Sequence, residues 1–509
     1  MSHYLQRGQA AIDDKNLDEA VKWFGLAVEE APKDAQARAC LGQALCWQGK
    51  REEGGRQLRQ AGQLLLKKAR KTREVNRVVD LADQLQYWND YPGSADLCKQ
   101  AIGIDANFVR AYQLLALALS RLNQTRPALI AAKQALKRAP DSAMLNILLA
   151  TMEIADKQLD SARARLEHAL SKHILTAEER FRAHKELARV LDKLAVYDQV
   201  FPHLHAAGEV SARLPEVQRQ DKQQVPEMLG AYKTEFDSDL LGRWAGRAFP
   251  SDTAAPVFVL GFMRTGTTLT QEVLGAHPGI FVADETDLIV STINELKRMT
   301  GSSAGSVAQR LRMLDFDDVV HLRRHYWQRA RALFGDALAS RLLLDKTTMN
   351  SIDIGFIQAI FPDARLVFLL RDPRDVCLSC FSQTMTPSPS TVHLLTWQGT
   401  AQFYAQVMDW WQTVKPRLTL AFMELKYEDA VFDFENTFKQ VFGFLNLAWD
   451  PAVADFHKKA AGKVIVSPSF SQVAQPLYSS SVGRWRQYAS EYAAIDHELQ
   501  SFLVAYGYD

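Results

Sequence analysis

At 509 residues, with 47% hydrophobic and 23% charged residues, the chain is too long for one hydrophobic core and has the balance of folded globular domains, not of disordered or fibrous chains. A total of 60 basic against 59 acidic residues leaves a formal charge of +1, which excludes a chain-wide basic surface for nucleic acid and makes any anion site local. The five cysteines are too few and scattered for a disulfide framework, Met1 to Ala10 has no apolar signal core, and no run approaches the roughly 18 apolar residues of a membrane span, so a soluble, cytoplasmic chain with no membrane partner is expected.

From the N-terminus, small and aromatic residues recur at a period of about 34. Gly8, Ala20, Phe24, Ala27 and Pro32 form one copy, followed one period later by Leu41, Gly42 and Ala61. After a short insertion a degenerate copy ends in Cys98, Ala101 and Ala106. Two clearer copies follow, one with Tyr112, Ala128, Ala135 and Pro140 and the next with Leu149, Ala150, Ala162 and Leu166, before a weak one at Leu187, Ala188, Leu204 and Ala207. Two antiparallel helices approach closely only where small residues face each other, and proline closes the second helix. The pattern resembles tetratricopeptide repeats and predicts an all-α solenoid over residues 1–212. Such a stack offers a groove for a peptide or protein; its alternative roles are a surface for a second copy of the chain or a structural platform. The polar run Gln218–Gln224, closed by Val225 and Pro226, reads as part of a connector over 213–250.

Residues 251–509 open with a short buried strand at Val257–Leu260, ended by Gly261. The loop Gly261–Thr268, GFMRTGTT, then leads into an apolar helix start. Glycines let the backbone curl so that amide hydrogens point inward, and the helix N-terminus adds its positive dipole end, which together form a cradle for phosphate-like groups. A nucleotide triphosphatase needs lysine where Thr267 stands; here Arg264 supplies the charge from within the loop. An α/β, P-loop-like domain with a mostly parallel sheet follows from this start. Further along the chain come the acids Asp284 and Glu285, either of which can serve as a general base or merely cap a following helix. Lys346 sits in LLLDKTT. A second apolar strand, Arg365–Leu370, ends at Arg371-Asp372-Pro373, where proline starts a helix and places Arg371 and Ser379 near the carboxyl end of the sheet. Cys377 and Cys380 lack the second pair that a four-thiolate zinc site needs, and Trp410-Trp411 reads as core.

Taken in order, GFMRTGTT, HPGIFVADET, LLLDKTTMN, LLRDPRDVCLS, LKYEDAV and SFSQVAQPLYSSSVGRW resemble the sulfotransferase superfamily over about Pro256 to Trp485, and within it the protein-tyrosine sulfotransferases. The resemblance implies 3'-phosphoadenosine 5'-phosphosulfate as co-substrate, a hydroxyl acceptor such as a peptide tyrosine, and no required metal. It implies that Arg264, Thr265, Gly266, Thr267 and Thr268 hold the 5'-phosphosulfate and that Arg371 and Ser379 hold the 3'-phosphate. Tyr427 would contact the nucleotide, and Ser469, Gln472, Val473 and Arg484 would belong to a late donor-closing segment. Glu285 would be the base, while Lys346, Arg264 and Ser469 would stabilise charge on the transferring group. Gln383 and Asp287 depart from that branch, each standing where a basic residue is usual. The competing readings are a P-loop phosphotransferase, which Thr267 opposes, and a repeat scaffold with an inactive nucleotide domain, which the combination Arg264, Glu285, Lys346, Arg371 and Ser379 opposes.

Overall fold

Helix pairs fill the N-terminal part of the chain, and the turn inside each pair is set by one left-handed residue. These are Lys15 (φ 59°), Gly49 (φ 89°), Asn89 (φ 64°), Asn123 (φ 58°) and Lys157 (φ 63°), which lie 34, 40, 34 and 34 residues apart. The single longer step is absorbed by one helix: Arg51–Thr72 has 22 residues, whereas the second helices Leu17–Glu30, Tyr91–Ile104, Thr125–Arg138 and Leu159–Lys172 each have 14. Close approach within a pair depends on small residues, as expected. A Cβ on Gly8 would stand 2.4 Å from the Phe24 ring, and Ala20, Ala27, Ala128 and Ala135 are buried.

The computed structural model describes residues 3–172, 174–301, 305–338, 340–460, 477 and 479–508, in two units that divide between Leu194 and Ala195. The second unit therefore begins ahead of residue 212. Its first long helix, Val200–Ser211, places Phe201 against the rings of Phe381, Trp397 and Tyr488. The 213–250 segment contains the helices Gln224–Glu235 and Ser238–Gly242 and packs within the same unit: Tyr232 and Phe236 lie on Trp410, and Gln358 donates to the Leu241 carbonyl at 3.0 Å.

Five strands form the sheet of this unit: β1 Val257–Gly261, β2 Ile280–Asp284, β3 Leu342–Lys346, β4 Arg365–Leu370 and β5 Ala421–Lys426. They run in the order β2-β3-β1-β4-β5 and every pairing is parallel. All of β1 is buried, so both sheet faces are covered, which fits its unbroken apolar run. One face carries Phe258, Asp345 and Phe368. There Phe368 stacks on Trp411 with centroids 3.8 Å apart, and Trp411 donates to Glu424 at 2.8 Å. Trp410 and Trp411 are thus core residues, as expected. No described helix is long and apolar enough to cross a membrane.

Asp345 is fully buried and accepts a hydrogen bond from the equally buried Tyr326 hydroxyl at 2.8 Å. Burial pushes its carboxyl up to about 7. An acid whose pKa rises on folding destabilises the fold as pH climbs from its ordinary value to the raised one. Asp345→Asn, which mimics the neutral form, should therefore gain thermal stability relative to the parent chain between about pH 4 and 7, with the gap constant above that. Melting curves across that range test this; a gap that does not change with pH would contradict a buried, proton-holding Asp345.

Candidate active site

Because all five strands are parallel, their carboxyl ends lie along one edge, and each delivers expected site residues there. In spatial order these are Asp284 at the end of β2 with Glu285 just after it, Lys346 at the end of β3, the Arg264–Thr268 loop after β1, Arg371 after β4 and Tyr427 after β5. With neighbouring strands about 4.8 Å apart, the row is about 19 Å long.

The central loop is held by backbone geometry. Arg264 is left-handed (φ 68°), and Gly266 (φ 102°) precedes the helix Thr267–Gly275. A Cβ on Gly266 would stand 2.6 Å from the Tyr427 ring, so both the φ and the space require glycine. The first amides of that helix have no intrahelical acceptor, which leaves them for an anion. Thr265, Thr267 and Thr268 are buried; the Thr265 hydroxyl donates to the Phe262 carbonyl at 2.7 Å and so braces the loop.

On the β2-β3 side, the Lys346 ammonium lies 2.8 Å from both Asp284 and Glu285. The lysine side chain is only 3% exposed, whereas that of Glu285 is 52% exposed. Burial pulls the Lys346 pKa down, but the two carboxylates outweigh it and hold the ammonium above the ordinary lysine value. Glu285 is also left-handed (φ 47°), and its amide donates to the Lys346 carbonyl at 2.8 Å. Thr348 donates to Glu285 at 3.2 Å, and its hydroxyl is 3.2 Å from that of Thr267. Glu285 is thereby tied to the cradle, which Asp284 is not. Neither acid caps the following helix, Leu288–Thr300; Asp287 occupies its N-cap position and is gripped by Arg329 at 2.7 and 3.1 Å.

On the β4-β5 side, Arg371 donates to the carbonyls of Arg264 at 3.0 Å and Ser481 at 2.6 Å, with its guanidinium over the Tyr427 ring. Its buried Nε has no hydrogen-bond partner among the described residues, an orphaned cationic donor of the kind a phosphate oxygen satisfies. Arg264 Nε donates to Ser379 at 2.9 Å, and the Tyr427 hydroxyl meets that of Ser481 at 2.7 Å. Arg484 is brought to this side because Asp375 accepts from the amides on either side of it, Gly483 at 2.6 Å and Trp485 at 3.0 Å. Ser469, Gln472 and Val473 lie outside the described residues. The remaining expected residues meet along this one edge.

Three participants were not singled out from sequence: Thr348, Asp375 and Ser481. Asp375 had a signal, since it sits one helical turn after Arg371. Cys377 and Cys380 are buried in the helix Pro373–Ser382, where burial drives the Cys377 thiol well above its ordinary pKa and the Cys380 thiol up to about 12. Neither behaves as a reactive thiolate. No cluster of three or more metal-ligating side chains occurs among the described residues.

Residues 256–451 match the model of the sulfotransferase family, and residues 4–34 and 109–142 match that of the tetratricopeptide repeat. An uncharacterized protein of Aquifex aeolicus is 25% identical over 80% of this chain and 52% of its own length. Protein-tyrosine sulfotransferase A of Caenorhabditis elegans is 24% identical over 50% of this chain and 68% of its own length. The chain thus spans about half of the first relative and two thirds of the second. The sulfotransferase domain of the Synechococcus PCC 7002 olefin synthase aligns with 47% of this chain and 91% of its own, at 20% identity and a TM-score of 0.31. The chain carries tetratricopeptide repeats followed by a domain of the sulfotransferase family.

Proposed function

We propose that this chain moves a sulfuryl group from 3'-phosphoadenosine 5'-phosphosulfate to a hydroxyl acceptor without help from a metal. The observation that carries this reading is the order of groups along the sheet edge: a base and a buried cation at one end, an anion cradle in the middle, and an arginine with an orphaned donor at the other. A donor with anionic groups at both ends matches that order. Arg264 and Thr265 to Thr268 hold the 5'-phosphosulfate, and Arg371 and Ser379 hold the 3'-phosphate. Tyr427, which packs against Gly266, and Arg484 flank the nucleotide, while Ser469, Gln472 and Val473 enter on resemblance alone.

The donor supplies an activated sulfuryl group on a phosphate leaving group; the chain's own residues then have three tasks. Glu285 takes the proton from the acceptor oxygen, which its exposed carboxylate can reach while Lys346 and Thr348 fix its direction. Lys346 keeps its charge because two carboxylates hold it, and offers that charge to the bridging oxygen as the bond to sulfur lengthens. Arg264 and the loop amides stabilise the leaving phosphate. A peptide tyrosine is the acceptor we favour, supported by the names of the relatives and by repeats suited to proteins.

Glu285→Ala should lower turnover by about 10²- to 10⁴-fold, the usual range for a lost proton-transfer group, and Lys346→Ala by about 10²- to 10³-fold, that for a lost electrostatic donor, with far smaller changes in donor affinity. Calorimetric donor titration beside transfer assays separates the two effects, and unchanged turnover in either variant would reject its role. Transfer from radiolabelled phosphosulfate donor into a cell extract should persist in chelator. A protein that instead needs magnesium and labels acceptors from ATP would be a phosphotransferase.

A further inference from the structure

The long second helix of the second repeat carries more than packing demands. Its counterparts end after 14 residues; its last eight, Leu65–Thr72, are two further turns, about 12 Å of helix. Leu66 and Ala69 bury this extension against the repeat core, which fixes its rotation. Lys67, Lys68 and Lys71 then face solvent on the opposite side, Arg70 is exposed at the border of the buried face, and exposed Arg73 and Arg77 lie just beyond. Against these six cations stands one acid, Glu74, so residues 67–77 carry +5 where the whole chain carries +1. None of the six forms an ion pair among the described residues. Other arginines of the array do: Arg59 with Asp90, and Arg110 with Asp80 and Asp83.

The charge borders a concavity of about 380 Å³ between the C-terminal ends of this helix and the next second helix, lined by Arg70, Arg73, Gln100, Gly103 and Ile104. Arg73 is left-handed (φ 64°) and donates to the Ile104 carbonyl at 2.7 Å, so the backbone around the concavity is braced. Like charges gathered on an added helical segment repel one another, a cost that an anionic partner reverses.

We infer that the extension Leu65–Thr72, with the adjoining concavity, is a docking surface for an acidic peptide segment. Its chemistry distinguishes the partner from other polyanions. No exposed aromatic ring lies among residues 56–77 or 96–104 for stacking single-stranded bases, and no large exposed apolar side chain is there to enter a bilayer. What the surface does offer is ammonium groups one helical turn apart, about 5–6 Å at Cβ, which suits carboxylates on alternate residues of an extended strand about 6.7 Å apart. The inference concerns the repeats alone and holds whatever reaction the second unit performs.

The test uses the full chain and a fluorescein-labelled peptide of alternating Glu and Gly, with its Gln counterpart as control. Anisotropy titrations should show binding of the Glu peptide that weakens with added salt, and none of the Gln peptide. Lys67→Glu, Lys68→Glu and Lys71→Glu together should weaken it by about tenfold or more, since three attractive surface pairs become repulsive. The milder Gln triple variant should weaken it in the same direction, and Lys133→Glu with Lys137→Glu on another repeat should leave it unchanged. Absence of Glu-peptide binding, or equal loss in the control variant, would overturn the proposal. So would triple-sensitive binding of an oligouridine or of phosphatidylserine vesicles in place of the peptide.

Discussion

Parallel pairing of five strands is the constraint from which the site follows. Antiparallel strands alternate the edge to which they deliver their ends; five parallel strands deliver all of them to one. Residues separated by more than 160 positions, from Arg264 to Tyr427, therefore meet without any long loop having to fold across the sheet. Placing β1 in the middle sets its loop between two flanks, so that one helix N-terminus is reached from both sides. The β2-β3 flank brings two carboxylates and a buried ammonium to that edge, the β4-β5 flank a buried arginine whose Nε has no hydrogen-bond partner among the described residues.

Local backbone strain and buried charge refine that arrangement. Among the described residues, Arg264 and Glu285 are the two left-handed, non-glycine residues that follow strands directly or within a short loop, and each is locked in place by a partner from another strand end: Arg371 on the Arg264 carbonyl, Lys346 on the Glu285 amide. Such conformations persist where the surroundings over-determine them. Lys346 is charged because it is shared. Burial alone would favour its neutral form, and the two carboxylates reverse that preference. Removing either acid would therefore change the lysine as well as the acid, and single substitutions here are not expected to add.

Much of this was legible in the sequence because the physics is local. Small residues at a fixed period announce paired helices, and even the insertion after the second copy has its counterpart in the longer step between Gly49 and Asn89. A glycine loop between an apolar strand and a helix announces an anion cradle. Other features depend on tertiary neighbours and left no local mark. The polar run Gln218–Gln224 hid the helices that follow it and pack in the second unit, since Tyr232 and Phe236 find their partner, Trp410, far along the chain. Nothing in LLLDKTT marks Asp345, whose side chain lies on the buried sheet face under Tyr326. Glu285 could not be separated from Asp284 by sequence; the Thr348 and Thr267 hydroxyls, which link only Glu285 to the cradle, come from the fold.

The central claim is that the sheet edge binds an adenosine nucleotide at both of its anionic ends. Calorimetric titration of adenosine 3',5'-bisphosphate against adenosine 5'-monophosphate measures the second end directly. The account predicts that the bisphosphate binds at least about tenfold more tightly, as one charged hydrogen-bonding group of roughly 1.5–3 kcal/mol requires, and that Arg371→Met abolishes the difference. Equal affinities for the two nucleotides, or a difference that survives in Arg371→Met, would contradict it.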